Sequence, residues 1–212
     1  MNSTRLLYLG TLPYEETWDA MRSFNAQRMP TTPDEIWLLE HPPVYTLGLN
    51  GDPRHLIRPT SVPLIKTDRG GQITWHGPGQ LVAYLLIDLR RLNIGVKQMV
   101  MRLEAAVIGL LASYGLAAHT RDGAPGVYIG NAKIASVGLK ISRGCSYHGI
   151  SLNVNPDLAY FSFINPCGYA GQTVTSLESH GVLGRSAEFT PALAAHLIQS
   201  LTCLDQSVGT CS

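Results

Sequence analysis

A glycine-rich segment that runs directly into an apolar stretch constrains this chain more than any other feature. Residues 69–84 read Arg-Gly-Gly-Gln-Ile-Thr-Trp-His-Gly-Pro-Gly-Gln-Leu-Val-Ala-Tyr, and residues 81–89 are almost wholly apolar. Glycines let the backbone turn at positive φ and approach a ligand closely. A continuous apolar run is typical of a strand buried on both faces. The pattern predicts a binding loop held on a central strand, with a plain glycine-rich turn as the alternative.

This segment matches neither of the common phosphate-binding motifs. A P-loop requires Lys-Ser or Lys-Thr after its last glycine, and none follows here. A dinucleotide fingerprint opens a helix, whereas Gly77-Pro78-Gly79 precedes a predicted strand. Arg69 offers a forked donor, and His76 titrates near neutrality. Together with Thr74, these side chains favour a binding site over a plain turn.

The composition limits the class of protein. The chain has 212 residues, 45% of them hydrophobic, which predicts one compact domain over residues 1–212. A net charge of +1, from 16 basic and 15 acidic residues, gives no case for a nucleic-acid or membrane partner. The four cysteines lack any C-x-x-C or zinc-finger spacing. This disfavours a metal site and predicts reduced thiols in a cytoplasm.

Hydrophobic periodicity predicts both strands and helices, in an order that does not alternate strictly. Besides the apolar run, strands are expected at residues 6–12, 35–40, 44–47, 64–67, 126–129, 132–141 and 147–154. Helices are expected at residues 14–29, at 96–114, and from a Thr190 cap before Pro191 to about residue 204. The order favours an α+β fold with a mixed, largely antiparallel sheet and flanking helices.

Lys133 is the unusual residue of the strand predicted at 132–141. Period-2 alternation places it on the apolar face, together with Ala135 and Val137. Lysine is rarely buried unless it is paired. The pattern leaves two interpretations equally open: a paired, functional ammonium group, or a lysine at the start of a strand that extends its head to solvent. A partner for the ammonium group would favour the first.

Cys167 is the best candidate for a partner of this lysine. It lies between Pro166 and Gly168 in an irregular segment, unlike a cysteine that packs as a small core residue. A nearby ammonium group lowers the pKa of a thiol and populates the nucleophilic thiolate. Cys167 is thus a candidate nucleophile, with a purely structural cysteine as the alternative.

Four motifs together resemble the octanoyltransferases of lipoate biosynthesis. The matching segments occur in order between about residues 6 and 177. They are Arg69-Gly70-Gly71-(x)2-Thr74-Trp75-His76-Gly77-Pro78-Gly79-Gln80 with Tyr84 after it, Lys133-Ile134-Ala135-Ser136-Val137-Gly138, His148-Gly149-Ile150-Ser151-Leu152-Asn153, and Pro166-Cys167-Gly168.

The resemblance implies the catalytic fold shared with biotin and lipoate ligases, and a transfer of octanoyl from octanoyl-acyl carrier protein to a lysine. The implied acceptors are apo-lipoyl domains of 2-oxoacid dehydrogenase acyltransferase subunits and the glycine cleavage carrier protein. It also implies that Cys167 carries the acyl thioester and that Lys133 lowers its pKa. The implied substrate-binding residues are Arg69, Gly70, Gly71, Gln72, Ile73, Thr74, Trp75, His76, Ser136, Val137, Gly138, Gly149, Ile150 and Ser151.

The chemistry of this reaction suits these residues independently of the resemblance. Passing an acyl group from one thioester to another has almost no free-energy cost, so no ATP, metal or other cofactor is expected. The acceptor lysine is the harder substrate, because with a pKa of about 10.4 only roughly 0.04% of it is neutral at pH 7. Either His76 or His148 is a candidate proton carrier, although the sequence around His148, taken alone, favours a satisfied core histidine.

Three other classes of protein remain open at this point. An ATP-dependent lipoate or octanoate ligase of the same fold would form an adenylate and would not need Cys167. A cysteine hydrolase would need a histidine-assisted cysteine and a path for water. A noncatalytic acyl-carrier-binding module would have no use for a lysine on an apolar face beside a loop cysteine.

Overall fold

The computed structural model describes residues 4–165 and 171–202. The helices and strands of these residues, in chain order, are β1 (Arg5–Thr11), α1 (Tyr14–Ala26), β2 (Glu35–Glu40), β3 (Val44–Leu47), β4 (Leu64–Lys66), β5 (Ile73–His76), β6 (Gln80–Leu86), α2 (Leu89–Leu92), α3 (Val96–Ser113), β7 (Gly126–Ile129), β8 (Ala132–Ser142), β9 (Cys145–Asn153) and α4 (Ser186–Thr202). Short 3₁₀ turns connect several of them.

Two sheets organise the described residues. The larger has the strand order β1-β2-β6-β9-β8-β7, and all of its pairs except β1–β2 are antiparallel. The smaller has the order β4-β3-β5, with a parallel and an antiparallel pair. The predicted α+β class with a mixed, largely antiparallel sheet is therefore confirmed.

Strand β6 is buried along its whole length, as the apolar run predicts. Alternate residues point to opposite faces of a strand. Leu81, Ala83 and Leu85 pack in a core with α3 and α4, which we call the helix-side core. Val82 and Tyr84 pack instead beneath α1, in what we call the α1-side core. Since both faces are covered, β6 is the fixed element on which the neighbouring strands are aligned.

Two predictions of secondary structure are wrong, one within the glycine-rich segment and one at the start of the last helix. The glycine-rich segment contains a strand, β5, because its four central residues pair with β3 between the glycines. The last helix begins at Ser186 rather than at a Thr190 cap, and Thr190 Oγ1 donates to the Ser186 carbonyl inside it. Pro191 lies inside this helix, beyond its first turn, so the helix lacks the backbone hydrogen bond that residue 191 would otherwise donate to the preceding turn.

The turn between β8 and β9 is tight. Arg143 and Gly144 both have positive φ, at 51° and 80°. This is the backbone pattern of a two-residue type I′ hairpin, which matches the twist of the strands it joins. Because the turn has only two residues, both strands extend further towards it than the predicted strands 132–141 and 147–154, and β9 begins at Cys145.

No helix in the described part of the chain is long and apolar enough to cross a lipid bilayer.

We expect Leu85→Ala to destabilise the protein strongly, because Leu85 is fully buried at the centre of the helix-side core. Removing a buried leucine side chain typically costs about 2–5 kcal/mol of unfolding free energy. Leu183→Ala is the matched control, since Leu183 is 75% exposed, and its expected cost is within about 0.5 kcal/mol. Urea unfolding followed by circular dichroism measures both values, and equal losses would contradict the two-sided burial of β6.

Candidate active site

A cavity opens on the α1 side of the large sheet, between its central strands and the glycine-rich segment. Its lining residues are Tyr14, Arg69, Gly71, Gln72, Ile73, Thr74, His76, Val82, Tyr84, Pro125, Ser136, Val137, Gly138, His148, Gly149, Ile150 and Ser151. The sequence-predicted residues of the glycine-rich segment, β8 and β9 therefore meet around one space, with the exceptions of Gly70 and Trp75.

The floor of the cavity is made of small residues. Gly138 pairs with Gly149, and Ser136 pairs with Ser151, across β8 and β9. Val137 and Ile150 point to the other face and pack in or against the helix-side core, so they border the cavity with their main chain. The result is a strip of exposed backbone between β6 and β8 that leaves room for a slender group.

Trp75 and Gly70, both predicted to bind substrate, have other environments. The Trp75 ring stacks on Tyr160, with ring centroids 4.8 Å apart, in a separate cluster under the small sheet. Its neighbours on β5 face the cavity because alternation turns Trp75 away from them. Gly70 instead donates its N–H to the Leu139 carbonyl of β8, at 2.9 Å. That bond ties the glycine-rich segment to the cavity floor.

Arg69 anchors the glycine-rich segment to the small sheet. Its buried guanidinium donates to the Thr46 carbonyl at 2.6 Å, to Thr46 Oγ1 at 2.8 Å and to the Gly70 carbonyl at 2.9 Å. Sequence reasoning expected its forked donors to face a ligand. In the structure, part of the fork holds protein carbonyls, so Arg69 shapes the cavity wall as well as bordering the cavity.

His76 is held on both sides of its ring. Nδ1 lies 2.6 Å from Gln80 Oε1, and Nε2 lies 3.3 Å from Thr46 Oγ1. Burial, together with the nearby His41 and Arg69, holds the pKa of His76 well below its usual value. The ring therefore stays neutral at pH 7 and acts as a fixed wall of the cavity.

His148 lies on the opposite wall and is ordered by a carboxylate. Its Nε2 is 3.0 Å from Asp68 Oδ1, and the ring is almost fully buried. Burial lowers the pKa of His148, although Asp68 opposes this effect. Partial burial raises the pKa of Asp68, but hydrogen bonds from His148, Tyr147 and Trp18 outweigh it and hold that pKa below its usual range. His148 is therefore more than a histidine packed in the core, since its ring also borders the cavity.

Lys133 is only 2% exposed, which agrees with the prediction of a buried lysine rather than one whose head extends to solvent. Its face differs from the predicted one, because a bulge at Ile134 pairs Lys133 with Tyr128 and Ala135 with Val127. Neighbouring residues of β7 point to opposite faces, and Val127 packs in the helix-side core. Lys133 therefore lies on the cavity face, not on the face of Ala135.

The ammonium group of Lys133 has polar and aromatic neighbours. Nζ donates to the Pro125 carbonyl at 3.0 Å and lies 5.1 Å from the centre of the Tyr128 ring. Its charge lowers the pKa of Glu104, which burial otherwise raises. Since Pro125 also borders the cavity, Lys133 sits directly behind the cavity wall.

Cys167 lies outside the described residues. Cys145 is the one cysteine within them, buried at the start of β9, where burial raises the pKa of its thiol. A thiol of raised pKa is a poor nucleophile.

Sequence reasoning missed four residues of the site: Tyr14, Val82, Asp68 and Pro125. The alternation of β6 carries the signal for Val82, because it shares a face with Tyr84, which belongs to the glycine-rich motif. Asp68 precedes Arg69 directly in the sequence, but no local pattern shows that it reaches His148.

Comparison with known proteins identifies the family to which this fold and cavity belong. The model of the family described as lipoyl protein ligase A/B catalytic domain matches residues 13–198. An octanoyltransferase of Dechloromonas aromatica (strain RCB) is 55% identical over 201 residues, covering 95% of this chain and 97% of that protein. The chain belongs to the octanoyltransferases of this family, which are acyltransferases.

Solved structures show how widely this fold is used. A bipartite lipoate protein ligase from Thermoplasma acidophilum, studied with its E2 lipoyl domain, is similar with a TM-score of 0.76 at 16% identity, covering 95% of this chain and 84% of that one. The biotin protein ligase of Aquifex aeolicus is similar with a TM-score of 0.53 at 13% identity, covering 95% and 70%. The expected likeness to the catalytic domains of lipoate and biotin ligases is confirmed at the level of the fold.

We expect Arg69→Lys to loosen the glycine-rich segment, because lysine cannot reproduce the forked contacts with Thr46 and Gly70. Hydrogen bonds of a charged donor contribute about 1.5–3 kcal/mol each, so a loss of at least about 2 kcal/mol in unfolding free energy is expected. Arg54→Lys is the control, since Arg54 is exposed and paired with Asp52. Faster amide hydrogen exchange at residues 70–72 should accompany the loss in Arg69→Lys alone. Unchanged exchange would contradict the anchoring role.

Proposed function

We propose that this protein transfers an octanoyl group from octanoyl-acyl carrier protein to a specific lysine of apo-lipoyl domains, through a thioester on Cys167. The observation that carries the proposal is its close sequence relationship to octanoyltransferases over nearly the whole chain. The cavity supports it, because it gathers nearly all the residues implied as substrate-binding. The reaction requires a free thiol, so we place it in the cytoplasm, where cysteines stay reduced.

The shape of the cavity suits an unbranched acyl chain. Its floor at Gly138 and Gly149 carries no side chains, so a chain can lie against the backbone. Val82 adds apolar surface at the wall. Burial of apolar surface contributes roughly 25 cal/mol for each Å², which makes an eight-carbon chain a substantial source of binding energy. Backbone N–H groups of the glycine-rich segment are suitable donors for the oxyanion that forms during acyl transfer.

The role proposed for Lys133 is electrostatic. A buried ammonium group beside a thiol favours the thiolate, and each unit of pKa depression corresponds to about 1.4 kcal/mol. Lys133 is buried on the cavity face, and its head group is turned to the wall that contains Pro125. These contacts suit a charge that acts on a neighbouring sulfur.

The proposed acceptors are lipoyl domains of 2-oxoacid dehydrogenase acyltransferase subunits and of the glycine cleavage carrier protein. The support is the lipoate-related family to which the chain belongs, together with a lipoate protein ligase of similar fold that was studied with its E2 lipoyl domain. A folded acceptor domain supplies contacts remote from the reacting lysine, and these orient the amine. Free lysine lacks them and should be a poor substrate.

The reaction then has two halves. In the first half, the Cys167 thiolate attacks the donor thioester, the donor C–S bond breaks, and the carrier protein leaves as a thiolate that takes up a proton from solvent. In the second half, the neutral acceptor amine attacks the Cys167 thioester, the C–S bond breaks as the amide forms, the Cys167 thiolate is released, and the proton lost by the nitrogen passes to solvent. Because the acyl-enzyme forms before the acceptor is needed, the kinetics should be ping-pong.

We expect octanoyl-acyl carrier protein alone to add one octanoyl group to the protein, on Cys167. Intact-mass spectrometry should show one adduct that hydroxylamine removes, and Cys167→Ala should abolish it. Cys145→Ala is the control and should keep the adduct, because Cys145 is buried at the start of β9, outside the cavity lining, and burial raises the pKa of its thiol. An adduct that persists in Cys167→Ala would refute the assignment.

We expect the donor to distinguish this enzyme from an ATP-dependent ligase. Octanoyl-acyl carrier protein should octanoylate an apo-lipoyl domain without nucleotide or Mg²⁺, because a thioester is already activated. Free octanoate with ATP and Mg²⁺ should give no product. Weighing the lipoyl domain after incubation with each donor tests both statements, and octanoylation from the free acid would favour the ligase.

A further inference from the structure

One peptide group beside the cavity wall binds a buried charge at each of its ends. This group joins Pro125, which borders the cavity, to Gly126. Its carbonyl accepts a hydrogen bond from Lys133 Nζ at 3.0 Å, and its N–H donates to Glu104 Oε1 at 2.7 Å. The carbonyl and the N–H of a trans peptide point in opposite directions. The ammonium group and the carboxylate therefore lie on either side of one peptide dipole.

The orientation of this dipole stabilises both charges. Its negative end, the carbonyl oxygen, faces the cation, and its positive end, the N–H, faces the anion. Hydrogen bonds that are joined in a chain polarise one another in a protein interior. The 2.7 Å bond from Gly126 to Glu104 has the length that is typical of an ionised partner. Glu104 and Lys133 thus form an ion pair that is bridged by the main chain.

Gly126 makes this arrangement possible. Its φ is +134°, a value that residues with a side chain seldom adopt. A Cβ atom at this position would lie 2.5 Å from the Ala135 carbonyl oxygen and 3.3 Å from Lys133 Nζ. The missing side chain leaves the space in which the ammonium group reaches the Pro125 carbonyl. Gly126 therefore fixes the position of the charge.

Both charged residues lie on well-packed elements. Glu104 is on α3 and is 7% exposed, and Lys133 is on β8 and is 2% exposed. The Lys133 N–H donates to the Thr173 carbonyl at 2.9 Å, and the Thr175 N–H donates to the Lys133 carbonyl at 3.0 Å. The chain that follows Cys167 in the sequence thus returns to the main chain of Lys133.

A buried ammonium group needs a counter-charge to stay protonated. Burial disfavours the charged form of a lysine and lowers its pKa, and a lysine that has lost its proton cannot stabilise a thiolate. Burial raises the pKa of Glu104, while the Gly126 N–H and the charge of Lys133 oppose that rise. The attraction between two opposite charges is mutual, so Glu104 in turn favours the protonated form of Lys133.

We propose that Glu104, acting through the peptide group between Pro125 and Gly126, is the buried counter-charge that keeps Lys133 protonated and directed to the cavity wall. Glu104 is then a positioning residue, because it acts through Lys133. This inference rests on the proposed function, in which the charge of Lys133 favours the Cys167 thiolate.

Charged and titratable groups face Lys133 from several elements. Glu104 faces it from α3, across the peptide group. The Tyr128 ring of β7 has its centre 5.1 Å from Lys133 Nζ and 4.3 Å from the guanidinium carbon of Arg121. His119 stacks on the same ring. Arg121 disfavours a second cation here, so Glu104 is the group among these that favours the protonated lysine.

Titration of Lys133 itself tests the proposal without any substrate. The chain has four lysines, so in protein labelled with ¹³C at lysine Cε the Lys133 signal is assigned by its absence in Lys133→Met. The parent for the titration is Cys167→Ala, which removes the thiol whose ionisation would be coupled to that of the lysine. Adding Glu104→Gln should lower the midpoint by about one pH unit or more, the usual effect of losing an opposite charge. Glutamine keeps an oxygen that can accept the Gly126 N–H.

Two further variants control this titration. Glu35→Gln is the matched control, because Glu35 is also buried but accepts from Trp37 Nε1 on β2, outside the cavity lining. It should leave the Lys133 midpoint unchanged. Glu104→Asp keeps the charge on a shorter side chain, so its midpoint should lie between those of the parent and of Glu104→Gln. A midpoint that is the same in Glu104→Gln as in the parent would overturn the proposal.

A double-mutant cycle shows whether Glu104 acts through Lys133. Single-turnover loading from octanoyl-acyl carrier protein is followed by mass spectrometry at pH 7. Glu104→Gln should slow loading several-fold, up to the factor of about 10 that one pH unit represents, and should cause no further loss in Lys133→Met. Equal slowing in both backgrounds would indicate a structural role and overturn the proposal. Failure of the wild-type protein to load would instead overturn the proposed function, and the titration of Lys133 would still decide this inference.

Discussion

The close pairing of β9 with its neighbours at Gly149 is the constraint on which the site depends. A Cβ atom at this position would lie 2.0 Å from the Ala83 carbonyl oxygen of β6, an impossible contact. Only glycine lets the two strands approach in this register, and Gly138 of β8 pairs with it from the other side. The same two glycines make the cavity floor bare. Strand pairing and substrate space therefore have one cause, so a side chain added at Gly149 would disturb both.

The two buried cations of the site lie in different environments on either side of the cavity. Lys133 lies at the bulge of β8, near Glu104 and the Pro125 carbonyl. Arg69 lies across the cavity, bonded to Thr46 and Gly70. Buried cations are costly unless they are hydrogen-bonded, and each of these is. The protein thus keeps two positive charges beside an apolar cavity, an arrangement that favours a thiolate and an oxyanion over a second cation.

Much of this fold could be predicted because it follows from local patterns. Strands β2, β3 and β7 have the predicted bounds, since apolar runs with turn residues at their ends mark a strand by themselves. The predicted substrate-binding residues meet for a similar reason, because glycine-rich motifs lie where backbones approach closely. What the sequence could not show has two causes. The bulge at Ile134 breaks the register of the β7–β8 hairpin, and regular alternation does not show it. The bond between Asp68 and His148 joins residues 80 positions apart in the chain.

Three histidines lie in or beside the cavity, and burial lowers the pKa of each. That of His41 falls to about 4 and that of His76 lies well below its usual value, while Asp68 opposes the lowering at His148. The same burial and the nearby charge of Arg69 act on any ammonium group that enters. They lower its pKa by the same physical causes, so the cavity raises the neutral fraction of an amine that solvent would keep protonated.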